Sequence, residues 1–171
     1  LNDKLDKYFP SIPNSNLITI ANLLSHHSGI HSFTDDPEYL QYMTGPKTHE
    51  EMIKIISESK PDFEPGSKGA YSNSNYLLLG YIIEKICDEP YKQVLKERIT
   101  LKTGLSDTYF GDKTDVNNNE CFSYQFITGW EQQPETDMSI PHGAGSITST
   151  PTDLTKFIEA LFSNKLISQN S

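Results

Sequence analysis

The run from Tyr76 to Ile86, Tyr-Leu-Leu-Leu-Gly-Tyr-Ile-Ile-Glu-Lys-Ile, constrains the fold most. Read as a helix, it carries apolar side chains on nearly every side, which predicts the most buried helix of the fold. The remaining chain must wrap it, and helix-start signals recur at suitable spacing. Thr19 is placed to cap a helix with Ile20, Leu23 and Leu24 on one face, stopped at Ser28-Gly29. Asp35-Asp36-Pro37 opens a short helix through Tyr39, Leu40 and Met43, closed by Gly45-Pro46. Thr48-x-x-Glu51 is a capping box for a helix that turns Met52, Ile53 and Ile56 inward and ends before Pro61. Pro90 suits the first turn of another helix, running to about Ile99. Thr150-Pro151-x-Asp153 opens a last one with Leu154, Phe157, Ile158 and Leu161.

Strand signals are few. Thr108-Tyr109-Phe110 and residues 122–127 read as short strands, the second alternating. Residues 112–120 between them are a polar loop. The resulting class is α+β, predominantly helical. So little sheet predicts a helical lobe that packs on a partner lobe. No linker, repeat or composition shift divides residues 1–171, which read as a single domain.

Charge and cysteines narrow the function classes. The net charge of −9 opposes binding to nucleic acid and to anionic membranes, both of which select basic patches. No apolar run approaches a membrane span. Cys87 and Cys121 are too few for a disulfide scaffold. They read as two separate buried thiols, with a single bridge left open. Leu1 is neither a start methionine nor part of a signal peptide, so the chain reads as beginning inside a longer protein.

Four segments, in this order, carry a resemblance. The first is Ile20-Ala21-Asn22-Leu23-Leu24-Ser25-His26-His27-Ser28-Gly29-Ile30. The second is Phe63-Glu64-Pro65-Gly66 leading to Tyr71-Ser72-Asn73-Ser74-Asn75-Tyr76, continued by Leu79-Gly80-Tyr81-Ile82-Ile83-Glu84. The third is Thr103-Gly104-Leu105-Ser106-Asp107-Thr108. The fourth runs from Gly143-Ala144-Gly145-Ser146-Ile147 to Asp153-Leu154. Together they resemble the penicillin-recognising serine hydrolases: class C β-lactamases, D-alanyl-D-alanine carboxypeptidases and related esterases. The resemblance implies a helical lobe on an α/β sheet lobe. This chain would be the helical part, without the nucleophile segment before Leu1 and the sheet segment after Ser171.

The implied chemistry is acyl transfer. A serine attacks the carbonyl, and a lysine one helical turn later helps remove its proton. A tyrosine acts as acid or base, an asparagine orients the substrate amide, and a third motif on a strand completes the oxyanion site. Only Tyr71 and Asn73 carry over by position as catalytic residues. An ordinary phenol, with a pKa near ~10, needs a neighbouring cation to serve as a base. The bland alternative has Tyr71 packing on the lobe and Asn73 capping the following helix.

Two look-alikes fail on position. Ser57-Glu58-Ser59-Lys60 matches serine-x-x-lysine, but it ends a charged helix, whereas a nucleophile belongs at the start of a buried one. Lys102-Thr103-Gly104 matches the third motif but lies in a turn. His26, His27 and His31 suggest a metal, yet Gly29 separates them and no carboxylate stands at ligand spacing, so no zinc site is predicted. His27 is placed to bond the Ser28-Gly29 turn, with His26 half-exposed. His49 falls in a first helical turn. His142 to Gly145 either borders a cleft or makes a plain strand-edge turn.

The leading function is therefore a serine hydrolase acting through an acyl-enzyme on a β-lactam, a D-amino-acid peptide or an ester. Peptide or ester substrates are preferred, and this chain alone is expected to be inactive. No cofactor is implied, and the implied location is periplasmic or extracellular. Two alternatives stand beside it. One is a family member without catalysis, serving as a binding module. The other is a self-sufficient helical interaction domain, which predicts no large exposed apolar face.

Overall fold

A computed structural model describes residues 1–168. Its central element is α4 (Asn73–Cys87), entered from Ser72 in extended conformation and left through Asp88 in the left-handed region. Ser74, Asn75, Leu77, Leu78, Gly80, Tyr81 and Ile82 are buried. Each fully buried leucine contributes about 1.5–3 kcal/mol through loss of apolar surface to water. Burial is one-sided, however. Ile83 and Ile86 are exposed, because the described elements cover only one broad face of the helix.

The chain before α4 forms that cover. Leu5 N–H donates to the Ile18 carbonyl at 2.9 Å, closing a loop that buries Leu5, Phe9, Ile12 and Ile18. α1 (Ile20–Leu24) starts at the Thr19 cap, where Thr19 and Asn22 exchange side-chain and backbone bonds. It stops earlier than Ser28-Gly29. Ser25 Oγ donates back to the Ala21 carbonyl at 2.8 Å, a local bond that competes with further helix, and His26 leaves with φ 58°. α2 (Tyr39–Tyr42) is a single turn. α3 (His49–Glu58) begins at the predicted Thr48/Glu51 capping box and buries Met52 and Ile56. These residues, with Leu23, Ile30, Phe33 and Ile140, share one core with α4.

After α4 the chain is less regular. α5 (Tyr91–Leu95) follows Pro90, widens into a π-helical stretch over Lys96–Thr100, and tightens into α6 (Leu101–Thr103). The helical segment thus outruns Ile99 and is stopped by Gly104 at φ 70°. β1 (Tyr109–Phe110) is shorter than predicted and pairs antiparallel with β4 (Ile147–Thr148), Tyr109 opposite Thr148. β2 (Tyr124–Phe126) forms a hairpin with β3 (Trp130–Gln132), Phe126 opposite Trp130. Both strands of that hairpin are exposed, so the alternation in β2 marks no buried face. The polar segment 112–120 contains a short 3-10 turn, Val116–Asn118.

α7 (Pro151–Phe162) closes the chain. Thr150 Oγ1 accepts the Asp153 N–H at 3.2 Å. Asp153 is fully buried, and its carboxylate accepts from Asp107 N–H at 2.8 Å, Thr108 Oγ1 at 3.0 Å and Lys156 Nζ at 2.9 Å. These partners, the Lys156 ammonium foremost, hold the Asp153 carboxyl below the usual carboxylate range. The third and fourth motif segments therefore meet on one buried carboxylate. On the outer face of α7, Leu154, Ile158 and Phe162 stand four apart and exposed. That apolar stripe is not what a self-sufficient helical domain predicts.

Among the described residues no helix is long and apolar enough to cross a membrane. Cys87 is half-buried and Cys121 exposed, both unpaired. They are independent thiols as predicted, but not buried ones: Cys87 ends α4 and Cys121 lies in the polar connection ahead of β2.

Candidate active site

Two turns and a helix start build the site. The His27-Ser28-Gly29 turn docks on the Phe63–Gly66 turn through Gly66 N–H to the His27 carbonyl at 2.8 Å and Asp62 N–H to the Gly29 carbonyl at 2.9 Å. Gly29 has φ 75°, and a Cβ there would collide with the Phe63 carbonyl. Glycine is thus required at this point. Ala70 N–H donates to the His26 carbonyl at 2.9 Å, which brings the chain up to Tyr71.

The buried side of the site is a polar network. Ser28 Oγ donates to Asn75 Oδ1 at 2.6 Å and accepts Ile30 N–H at 3.1 Å. His26 Nδ1 faces Ser72 N–H at 3.2 Å and Asn75 Nδ2 at 3.2 Å. Both partners are donors, so Nδ1 carries the lone pair and the ring proton sits on Nε2. The His26 ring lies 4.7 Å from the Tyr71 ring and stacks on Tyr76 at 5.1 Å. Ser74 Oγ donates to the His31 carbonyl at 2.6 Å and accepts Phe33 N–H at 3.1 Å, which clamps the 31–34 loop onto the start of α4.

Tyr71 and Asn73 lie on the open side. Tyr71 is 70% exposed, and its hydroxyl donates to Asn73 Oδ1 at 3.0 Å. Asn73 Nδ2 donates to Thr34 Oγ1 at 2.9 Å, and Asn73 N–H to Ser32 Oγ at 3.1 Å. Asn73 is the first residue of α4 and makes no side-chain cap. Tyr71 thus packs on His26 by its ring yet stays largely exposed, and Asn73 does not cap. The N-terminus of the 15-residue α4 places about half a positive charge beside the pair, which favours negative charge there. Because the Tyr71 proton is committed to Asn73, the oxygen lone pairs remain free to accept from an incoming donor.

The look-alike motifs lack this arrangement. Ser57 lies in the last turn of α3 and donates to the Lys54 carbonyl at 2.9 Å, while Lys60 lies beyond the helix end, off any shared face. Lys102-Thr103-Gly104 forms the end of α6 and its left-handed stop, not a strand. His31 Nδ1 pairs with Asp62 at 2.8 Å, and His27 Nδ1 bonds the Ser25 carbonyl at 2.7 Å rather than the Ser28-Gly29 turn. His142 is buried, and Gly143 packs directly on Gly80, so this turn belongs to the core and not to a cleft.

Sequence reasoning overlooked Ser32, Thr34 and Asn75, which position the pair. Asn75 was visible as a polar residue entering an apolar helix. Ser32 and Thr34 carry no signal in their spacing. It also overlooked the one group among the described residues able to hold a metal ion: His49, Glu84 and His142.

The family model named Beta-lactamase matches residues 1–171. A Bacillus subtilis protein, PbpX, assigned by its name to the penicillin-binding proteins, is 32% identical over 99% of this chain and 41% of its own length. A teichoic acid D-alanine hydrolase of Staphylococcus aureus is 27% identical over 98% of this chain and 41% of its own. The chain thus spans about two-fifths of these curated relatives. The crystal structure of D-amino acid amidase from Ochrobactrum anthropi SV3, complexed with L-phenylalanine amide, superposes with a TM-score of 0.84. It is 28% identical, over 99% of this chain and 50% of that one.

Proposed function

This chain belongs to the Beta-lactamase family of serine hydrolases, and on that premise we propose that it supplies Tyr71 and Asn73 to an enzyme that cleaves amides or esters of D-amino acids through an acyl-enzyme. The observation that carries this reading is the exposed Tyr71 hydroxyl fixed on Asn73 at the start of α4. Neither Ser57 nor Lys102 has the placement the chemistry needs, so the nucleophilic serine, its lysine and the strand motif come from outside these 171 residues. The chain is then the helical lobe of one domain. The exposed stripe of Leu154, Ile158 and Phe162 on α7 is the seat of the remaining sheet lobe.

The proton path follows from the geometry. The serine hydroxyl or lysine ammonium donates to the free lone pairs of Tyr71 Oη. Once the Tyr71 proton has passed to the neutral amine of the lysine, the resulting ammonium and the α4 dipole stabilise the phenolate, which takes the serine proton as the carbonyl is attacked. The same hydroxyl returns a proton to the leaving group. Asn73, oriented by Thr34 and Ser32, presents its amide to the acyl portion of the substrate. D-amino-acid substrates are preferred to β-lactams because two of the similar proteins are named for D-alanine and D-amino acid hydrolysis. A periplasmic or extracellular location belongs to the same proposal, supported by the relative named for teichoic acid, a cell-envelope polymer.

The test is turnover by the protein carrying this chain of D- and L-alanine amide, a D-alanyl ester and a penicillin. Faster cleavage of the D-amide or D-ester than of the L-amide and the penicillin supports the proposal. Binding of all four without turnover would instead identify a binding module.

A further inference from the structure

At the far end of α4 from Tyr71, three ligand-type side chains converge from three elements. Glu84 extends from the last turns of α4, His49 from the first turn of α3, and His142 from the turn before β4. His49 Nε2 lies 3.5 Å from Glu84 Oε2, and His142 Nε2 lies 3.4 Å from Glu84 Oε1. Both separations exceed the ~2.7–3.2 Å of an N–H···O hydrogen bond, so good hydrogen bonds do not hold the group together. Each imidazole approaches a different oxygen of the Glu84 carboxylate, at a separation close to the ~3.3 Å between two donors around a tetrahedral ion with bonds of ~2.0–2.1 Å. One donor atom from each residue lies within 4.8 Å of the others.

The surroundings suit a ligand set. Glu84 Oε1 accepts Tyr91 N–H at 2.7 Å, which fixes the carboxylate. The His49 ring stacks on Tyr81 at 3.8 Å, and the His142 ring packs edge-on to Tyr81 at 4.8 Å, so both imidazoles have set planes. His142 is buried, while the His49 side chain is 45% exposed, which leaves an entry path from solvent.

We propose that His49, Glu84 and His142 bind a divalent transition-metal ion of the zinc class, with the fourth position open to solvent. Two imidazoles and one carboxylate are a donor set such ions accept. Glu84 lies eleven residues along α4 from Asn73, about 16 Å at ~1.5 Å per residue. At that distance the ion is a structural tie between α3, α4 and the 142–144 turn, independent of the proposed acyl chemistry.

The test is a Co2+ titration of the EDTA-stripped protein, read by visible absorption and by paramagnetic shifts of the imidazole resonances. One equivalent with tetrahedral d–d bands, displaced by Zn2+, and shifts at His49 and His142 but not at His26, His27 or His31, is the expected result. His49→Phe keeps the stack on Tyr81 and is expected to weaken Co2+ binding at least about tenfold. Its melting in EDTA should match the parent, and His27→Phe should bind as the parent does. Absence of the bands, or shifts confined to other histidines, would overturn the proposal even if His49→Phe fails to fold. Undiminished binding in a folded His49→Phe would overturn it equally.

Discussion

Tyr71 Oη donates to Asn73 Oδ1 at 3.0 Å, which joins a largely exposed phenol to the first residue of the most buried helix. Tyr71→Phe removes that hydroxyl and little else. In the protein that carries this chain, kcat is expected to fall by about 10²–10⁴, the usual range for a general acid or base. Thermal stability should stay within about 0.5 kcal/mol, as for an exposed side chain. Unchanged kcat in a folded Tyr71→Phe protein would remove Tyr71 from the chemistry.

Asn75 is the opposite case, fully buried and tied to Ser28 Oγ at 2.6 Å and to His26 Nδ1 at 3.2 Å. Asn75→Ala removes the acceptor of the buried Ser28 hydroxyl and one of the two donors that face His26 Nδ1. The expected cost is about 1–3 kcal/mol, measured by urea denaturation. Because His26 packs on Tyr71, activity should also fall. Loss of activity without loss of stability would contradict the network's structural role.

Gly80 and Gly143 bring α4 and the 142–144 turn into contact. A Cβ on Gly143 would lie 2.8 Å from Gly80 Cα, and a Cβ on Gly80 would lie 2.9 Å from Gly143 Cα. Both clashes involve backbone. Gly143→Ala should therefore destabilise by about 1–3 kcal/mol, the usual cost of overpacking, read as a lower urea midpoint. Gly45→Ala, where a Cβ meets nothing within 4 Å, is the matched control.

Two groups make stability depend on pH. Burial lowers the His142 pKa below 6.5, against the raising effect of Glu84, so the unfolded chain binds the proton more readily. This contribution is full above pH 6.5 and is lost as pH falls through the lower folded value. The Asp153 carboxyl lies below 3.8, chiefly through Lys156, so its contribution is full above pH 3.8 and is lost at lower pH. Melting in EDTA should thus decline in two stages on acidification. His142→Gln should flatten the upper stage alone. A parent curve that is flat between pH 7 and 5 would contradict the assignment.

The helix starts were legible because they rest on local chemistry: Thr19, Thr48 and Thr150 cap where their spacing to Asn22, Glu51 and Asp153 places them. The family was legible through the four motif segments, whose order outweighs any one of them. The early stop of α1 was not, since it depends on Ser25 bonding back and His26 adopting a positive φ. β3 was missed because its exposed residues carry no buried alternation, and the pairing of β1 with β4 because the two strands are distant in sequence. The His49–Glu84–His142 group was missed for the same reason: its members are 35 and 58 residues apart and meet only when α3 and the 142–144 turn pack on α4. Asp153 read as a helix-start residue; its role joining two motif segments needed the fold.

The central claim is that these 171 residues hold the tyrosine and asparagine of an acyl-transfer site but not its nucleophile. It is tested most directly by intact mass after incubation with a fluorophosphonate, for this chain and for the longest gene product that contains it. The account predicts no adduct on the chain alone and one adduct on the longer protein, at a serine outside the 171 residues. A stoichiometric adduct on a serine within the chain, Ser57 above all, would contradict it.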